Sequence, residues 1–198
     1  LQTLRWSVRS DGRSGFLFVN NHVRQHAMPT HEGVRFRVEL PGGETLTLPQ
    51  HGVRIAPGQA FIWPLRMDLG GIELRWASAQ ALTTLTDADG ALQVFSADAP
   101  PEFAFHADAL RGVEGTRAER SKEGGRELLL LRPPAGRIVT LLGQAGTRAR
   151  LVWLPGHQAH QLARLSLDGR DTLVLGSAHA FGHAGGGIEL RQLDADFR

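Results

Sequence analysis

The chain alternates apolar and polar residues with a period of two, and this alternation constrains its fold most strongly. In residues 34–40, VRFRVEL, every second residue is apolar and the residues between are Arg or Glu. Successive side chains of a strand point to opposite faces, so the pattern predicts a strand buried on one face. Residues 16–19, 128–131 and 138–142 are apolar at nearly every position, which is typical of strands buried on both faces.

Turn-forming residues, mostly Gly paired with Asp, Gly or Pro, separate these segments at intervals of roughly eight to twelve residues. The spacing predicts an all-β chain built of antiparallel β-sandwiches. One segment differs, because residues 155–165, PGHQAHQLARL, place Ala159, Leu162 and Leu165 three apart. This spacing predicts one short helix near residues 157–165.

A candidate domain boundary lies at residues 86–91, TDADGA, which are polar and rich in turn formers. It divides the chain into two small β domains, residues 1–87 and 88–198, and the alternative is one larger sandwich that spans both halves. The alternation of strands and helices that marks parallel-sheet enzymes is absent. The chain begins without Met in a strand-like pattern, so we expect it to be part of a longer polypeptide.

Composition excludes several classes of function. The chain has no Cys, which excludes disulfides, thiolate metal sites and Cys nucleophiles. Its basic residues are all Arg except Lys122 and are spread along the strands rather than clustered, so we predict no nucleic-acid partner. No apolar run approaches the roughly 20 residues of a membrane span, so we predict no membrane partner either. We favour an extracellular or periplasmic location over a cytoplasmic one.

Three histidines, His22, His26 and His31, lie within ten residues and suggest a metal site. On a strand, His22 and His26 would point to the same face about 13 Å apart, at about 3.3 Å per residue. That separation is too large for both rings to reach one zinc at about 2.1 Å. We therefore predict no metal site and no cofactor, and we interpret these residues as separate strand and loop imidazoles.

No catalytic residue is predicted in this chain. The glutamates lie on the polar faces of strands, as Glu39 does, or in charged loops, as Glu123 does, and we expect both kinds to be solvated. A retaining glycosidase needs two carboxyl groups about 5 Å apart, one of them with a raised pKa. No Ser stands in a G-x-S-x-G elbow, and the Gly-rich residues 182–187 lack the Lys and helix of a phosphate-binding loop.

Aromatic side chains are the remaining candidates for ligand contact. Trp76 and Trp153 fall on inward positions of predicted strands and are expected in the core. Phe61 and Trp63 in FIWPL are less constrained, because Trp63 is held extended by the following proline. We favour core packing for them, and they are our two candidate carbohydrate-binding residues.

Two segments resemble a known family. Residues 14–29, SGFLFVNNHVRQHAMP, and residues 60–83, AFIWPLRMDLGGIELRWASAQALT, are similar to the region that follows the catalytic barrel in β-galactosidases of glycoside hydrolase family 35. Residues 99–105 and 151–178 resemble the β segments that come next in bacterial members. The family carries Tyr at the position of His22. The amides of Asn20 and Asn21 are expected to satisfy backbone groups where the first segment's strand ends.

The resemblance implies that this chain is the non-catalytic accessory β-sandwich region of a bacterial, retaining β-galactosidase. Both catalytic glutamates of that family belong to a (β/α)₈ barrel, so none of them lies in this chain. The implied partner is the catalytic barrel domain of the same polypeptide; contact with a galactoside and oligomerisation are left open. Two alternatives remain: an autonomous carbohydrate-binding module using Phe61 and Trp63, and a metal-dependent β-barrel enzyme using His22, His26 and His31.

Overall fold

The chain folds almost entirely into β-strands, which confirms the predicted fold class. The structure is a computed structural model that describes residues 3–40, 43–167, 169–183 and 187–191. No helix in these residues is long and apolar enough to cross a membrane. The described strands are β1 Arg5–Ser10, β2 Gly15–Asn20, β3 His31–Glu39, β4 Thr45–Ile55, β5 Ala60–Asp68, β6 Glu73–Ala77, β7 Gln80–Asp87, β8 Gly90–Ala97, β9 Phe103–His106, β10 Leu110–Glu114, β11 Ala118–Glu123, β12 Arg126–Leu131, β13 Val139–Gly143, β14 Arg148–Pro155, β15 Leu162–Leu167, β16 Arg170–Leu175, β17 His179–Gly182 and β18 Ile188–Arg191.

The strands form two large sheets and three two-stranded ribbons. The larger sheet has seven strands in the order β1-β2-β5-β6-β9-β12-β11, and the smaller has five in the order β10-β13-β14-β8-β7. The ribbons are β3–β4, β15–β16 and β17–β18. Neighbouring strands are antiparallel except β8 and β14, which pair in parallel. Such a parallel pair needs a long connection, and five strands, β9 to β13, lie between the two in the sequence.

The seven-stranded sheet is a middle layer with a core on each face. In β9, Phe103 and Phe105 pack toward the five-stranded sheet, whereas Ala104 packs toward the β3–β4 ribbon. In β12, Leu130 likewise faces the ribbon and Leu131 the five-stranded sheet. This double burial confirms the prediction made from the apolar run at residues 128–131 and explains why period-two alternation is lost there.

The apolar run at residues 16–19 is buried on only one face. Leu17 and Val19 of β2 point into the ribbon-side core, but Phe16 on the opposite face is 41% exposed. The expectation of two-sided burial was therefore wrong for this strand, because β2 lies near the edge of its sheet and beyond the reach of the five-stranded sheet. The outward face of β2 is therefore apolar and partly exposed.

The predicted helix is present but short. It covers Gly156–Ala159, and the chain then enters β15 at Leu162, so the helix does not extend to residue 165. Ala159 and Leu162 both pack against Val152 and its neighbours on the outer face of the five-stranded sheet. A shared core, not a continuous helix, therefore explains the three-residue spacing.

Strands from both sides of residue 87 make up the seven-stranded sheet: β1, β2, β5 and β6 precede that residue, and β9, β11 and β12 follow it. The β3–β4 ribbon packs on strands from both groups, through Leu65 of β5 and Leu130 of β12. The division into two domains at residue 87 stays a prediction.

The ribbon is held to the middle sheet by a buried arginine. Arg75 of β6 is 3% exposed, and its Nε donates to Glu123 at 2.5 Å while its Nη1 donates to Glu44 at 2.7 Å. Glu123 also accepts the backbone N–H of Thr47 at 2.6 Å. The expectation that Glu123 is solvated was wrong, since its side chain is 8% exposed. A buried guanidinium requires this charge compensation.

The ribbon also requires glycine at one close approach. The strand ladder between β3 and β4 shifts register twice, and Gly52 then lies against the backbone of Gly33. A Cβ at residue 52 would lie 2.6 Å from the Gly33 carbonyl carbon, which is closer than any unstrained contact. Only glycine allows the two backbones to come this near.

The first prediction concerns this contact. Gly52→Ala should lower the free energy of unfolding by about 1 to 3 kcal/mol, because the new methyl group overlaps backbone that cannot move away. Gly176→Ala is the matched control, since its Cβ would meet nothing within 4 Å, and it should change stability by less than about 0.5 kcal/mol. Urea unfolding measures both. Equal stability of the two variants would contradict the packing described.

The second prediction concerns pH. Burial, and then the charge of Arg75, hold the pKa of His106 below its ordinary value of 6.5. Partial burial alone would raise the pKa of Glu44, but the hydrogen bond and charge of Arg75 outweigh it and lower the pKa below 4.5. The unfolded chain therefore binds more protons at acidic pH, so stability should fall as the pH drops below about 6.5, and further below about 4.5.

Nη1 of Arg75 lies 2.9 Å from Nε2 of His106. His106→Gln keeps an acceptor for Arg75 but cannot titrate, so it isolates the contribution of the histidine to the pH dependence of stability. Urea unfolding at closely spaced pH values should show a shallower loss of stability between about pH 6.5 and 5 in this variant than in the wild type. Identical slopes would show that His106 does not take part.

Candidate functional site

A buried carboxylate, that of Glu102, organises the candidate site. It lies just before β9 and is 4% exposed. One oxygen accepts the backbone N–H of Gln50 at 2.7 Å, and the other accepts from Nδ1 of His51 at 2.6 Å and its backbone N–H at 3.2 Å. The Nε of Arg132 lies 3.5 Å from the latter oxygen. Glu102 therefore joins the β3–β4 ribbon to the middle sheet.

The local backbone explains why a carboxylate is needed here. The β3–β4 ladder skips from Leu48 to Val53 on the β4 side, which leaves the N–H groups of Gln50 and His51 without partners on β3. Such N–H groups must find an acceptor when they are buried, and a charged acceptor binds them more strongly than a neutral one. Ser78, after β6, holds Glu102 in place through two hydrogen bonds with its backbone.

A cleft of about 410 Å³ opens beside this carboxylate. Its volume lies within the range of small-molecule sites. Its lining combines apolar side chains with side chains that can form hydrogen bonds. The cleft is lined by His51, Gly52, Val53, Arg54, Gln59, Ala60, Phe61, Trp63, Ser78, Gln80, Ser96, Ala97, Asp98, Ala99, Pro100, Glu102 and Arg132.

A second cavity of about 450 Å³ adjoins the cleft. Ala60, Phe61 and Gln80 line both, and the two adjoining cavities are together called the groove. The second cavity lies where β1, β2 and β5 begin or end at the same edge of the sheet. Its other lining residues are Arg5, Trp6, Ser7, Phe18, Val19, Asn20 and Ile62.

The groove brings together the two residues proposed from sequence to bind carbohydrate. Phe61 is half-buried and stacks on Trp63 with ring centroids 4.3 Å apart. Trp63 is 5% exposed and packs edge-to-face on Phe36, so its ring supports Phe61 from the core side. That this pair contacts a sugar stays a prediction.

Sequence reasoning missed Trp6 as a groove residue. Its ring is 49% exposed and also packs edge-to-face on Phe36, at 5.7 Å. The available signal was its place between Arg5 and Ser7 in a strand with few apolar neighbours, which is typical of a sheet edge. Glu102 was missed too, because only the three-dimensional fold brings it to the unpaired N–H groups of β4.

Hydrogen-bonding groups of the groove are mostly neutral or already paired. The amide oxygen of Gln80 accepts from the N–H of Ile62 at 3.0 Å, and that of Gln59 accepts from the N–H of Ala56 at 2.6 Å. Neither side-chain NH₂ group donates to a described residue. Arg132 pairs with Glu119 as well as with Glu102.

The structure does not bring His22, His26 and His31 together. His22 and His26 are exposed in the connection after β2, and His31 begins β3 half-buried. Across the part of the chain that the structure describes, no three His, Asp or Glu side chains are placed to share a metal ion. The asparagine prediction is confirmed: Asn20 accepts from the N–H of His22 at 2.7 Å, and buried Asn21 donates to the Pro29 carbonyl at 2.9 Å.

Comparison with known proteins adds no assignment. No protein-family model matches this chain, and a search of curated proteins finds no match. The resemblance carried by residues 14–29 and 60–83 therefore stays a prediction.

The third prediction tests the role of Glu102. Glu102→Ala should lower the free energy of unfolding by about 1 to 3 kcal/mol, because two partly buried N–H groups and one imidazole lose their acceptor. Glu102→Gln keeps one acceptor oxygen and should lose less. Glu39→Ala, an exposed carboxylate on the same ribbon, is the control and should stay within about 0.5 kcal/mol of the wild type. Equal effects of Glu102→Ala and Glu39→Ala in urea unfolding would contradict the assignment.

Proposed function

We propose that this chain is the non-catalytic accessory β region of a β-galactosidase of the family 35 type. Hydrolysis of terminal β-galactosides would then be carried out by a (β/α)₈ barrel outside this chain. The observation that carries the proposal is the resemblance of residues 16–24 and 61–71 to the region after the barrel in that family. The work of the chain is to pack against the barrel and to support it.

The position of the two segments in the fold supports this proposal. Residues 16–20 lie in β2 and residues 61–68 in β5, and these strands are paired neighbours in the seven-stranded sheet. Phe18 lies directly opposite Ile62, and Phe16 lies opposite Pro64. The segments that resemble the family therefore share one surface.

That surface is apolar and uncovered. Phe16 and Ile62 are 41% and 40% exposed, and Phe18 is half-buried beside them on the outward side of the sheet. Opposed residues of an antiparallel pair point to the same face, so the three side chains form one patch. Adjoining exposed apolar side chains of this kind mark contact surfaces with another protein body.

The carboxylates support the assignment of catalysis to another domain. Glu44 and Glu123 converge, but both hydrogen-bond to one buried guanidinium, that of Arg75. Arg75 lowers the pKa of Glu44, whereas a general acid for glycoside hydrolysis needs a raised one. The pair therefore has the electrostatics of a structural ion cluster.

The fourth prediction tests the contact with a barrel. The chain should bind a separately produced catalytic barrel of a family 35 β-galactosidase, and the double variant Phe16→Ser, Ile62→Ser should weaken that binding at least tenfold, or about 1.4 kcal/mol, in isothermal titration. Leu175→Ser, which removes an equally exposed apolar residue from β16, is the control and should bind as the wild type does.

Two outcomes would contradict the proposal. One is clear turnover of a chromogenic β-galactoside by the purified chain alone. The other is the absence of barrel binding by the wild type, or an equal loss of binding in the double variant and the Leu175→Ser control.

A further inference from the structure

We infer that the free edge of β1 binds an extended segment of another protein, in which apolar residues alternate with acidic ones, as an added strand of the seven-stranded sheet. The inference goes beyond the proposed function. It rests on the open edge and the side chains of β1, whereas the proposed contact with a barrel rests on Phe16, Phe18 and Ile62. Either one can fail without the other.

The backbone of β1 is open along one side. Among the described strands, β1 pairs only with β2, so it forms one end of the seven-stranded sheet. Every residue of β1 except Val8 is exposed. At alternate residues of an edge strand, the N–H and C=O groups point away from its partner and are free to pair with another chain. Such main-chain hydrogen bonds supply the affinity when a peptide adds to a sheet.

The opposite edge of the same sheet, β11, is protected against such pairing. It carries charges of both signs, which discourage strand addition. Its charged side chains are held in ion pairs within the chain: Glu119 with Arg132, Arg120 with Glu127, and Glu123 with Arg75. β1 carries two arginines and no acidic residue, so its charges discourage a basic segment but attract an acidic one.

The side of β1 that faces the β3–β4 ribbon favours apolar partners. Trp6 and Val8 lie opposite Val19 and Leu17, two core residues on the ribbon side of the sheet. Trp6 is 49% exposed although its ring packs on Phe36, and Val8 is half-buried. Apolar side chains on an added strand would cover this exposed surface, because residues of neighbouring strands that face the same way are in contact.

The outward side of β1 favours acidic partners. Arg5 and Arg9 lie opposite Asn20 and Phe16, on the face that points away from the ribbon. Neither guanidinium forms an ion pair with a described residue, and that of Arg5 donates to the backbone carbonyl of His22. Carboxylates on an added strand, placed opposite the two arginines, would form ion pairs that this chain does not supply itself.

Charge argues against a second copy of this chain as the occupant. The two-fold self-pairing of β1 that is centred on Ser7 places Arg5 of each copy directly opposite Arg9 of the other. Like charges directly opposite one another destabilise a strand pair. Asp11, just after the strand, already accepts backbone N–H groups of its own turn. An acidic segment of a different protein is therefore the occupant that β1 favours.

The experiment titrates the full chain with two synthetic peptides of equal composition and capped ends. The first, Thr-Glu-Val-Thr-Val-Glu-Thr, reads the same in both directions, so it can place its glutamates opposite Arg5 and Arg9 in a parallel or an antiparallel pair. The second, Thr-Val-Glu-Thr-Glu-Val-Thr, can place at most one glutamate opposite an arginine. In NMR, the first peptide should shift the amide signals of β1 and the indole signal of Trp6, and it should bind at least fivefold more tightly than the second.

Two charge reversals locate the site. Arg9→Glu should weaken binding of the first peptide about fivefold, because a repulsion replaces an attraction. The same variant should bind Thr-Lys-Val-Thr-Val-Lys-Thr more tightly than the wild type does. Arg120→Glu, on the opposite edge strand β11, is the matched control, since it changes the net charge equally and should leave binding of the first peptide unchanged. Thermal unfolding verifies that both variants are folded.

Four results would overturn the inference. The first is no binding of the first peptide at about 5 mM, and the second is equal binding of the two peptides. The third is an equal effect of Arg9→Glu and Arg120→Glu. The fourth is a concentration-dependent shift of the β1 amide signals without peptide, which would make a second copy of the chain the occupant. The barrel titration uses neither peptide, so failure of this inference and failure of the proposed function are distinguishable.

Discussion

The contact of Glu102 with the irregular part of β4 is the interaction on which the site depends. Where β4 leaves its ladder with β3, two backbone N–H groups and an imidazole turn toward the middle sheet. These donors need an acceptor where they meet the middle sheet, and the buried carboxylate supplies a strong one. The same carboxylate fixes one side of the cleft, so the element that completes the fold also shapes the candidate binding surface.

Arg75 performs the corresponding task at the other end of the ribbon. It binds Glu44 at the start of β4 and Glu123 at the end of β11, strands that are far apart in sequence. The ribbon is thus attached to the middle sheet by one buried anion and one buried cation, with an apolar core between them. Such polar attachments specify the position of a layer that apolar packing alone would leave free to slide.

The sequence predicts the fold class well because alternation is a local property. The strands and the two-sided burial of residues 128–131 follow from side-chain direction, and the turns follow from the backbone preferences of Gly, Asp and Pro. The predicted helix was too long, since the helix ends at Ala159. Residues that share a core across a bend can show the same three-residue spacing as a helix. The order of the layers and the parallel pairing of β8 with β14 depend on which distant strands pair. A local sequence pattern does not predict such long-range pairing.

The candidate site is less predictable than the fold for the same reason. Phe61 and Trp63 could be proposed because a residue before proline is locally restricted. Trp6, Glu102 and Glu123 acquire their roles only from partners dozens of residues away, and from sequence Glu123 is indistinguishable from a solvated glutamate. Buried polar contacts between distant strands are therefore visible only in the structure and could not be predicted from the sequence.

The claim that Glu102 anchors the bulged part of β4, and thereby builds the cleft, is tested most directly by amide hydrogen exchange in the native chain. The account predicts that the N–H groups of Gln50 and His51 exchange slowly, with protection close to that of the middle sheet, although they make no strand-ladder hydrogen bond. Exchange as fast as that of the exposed connection at His22 to His26 would contradict it.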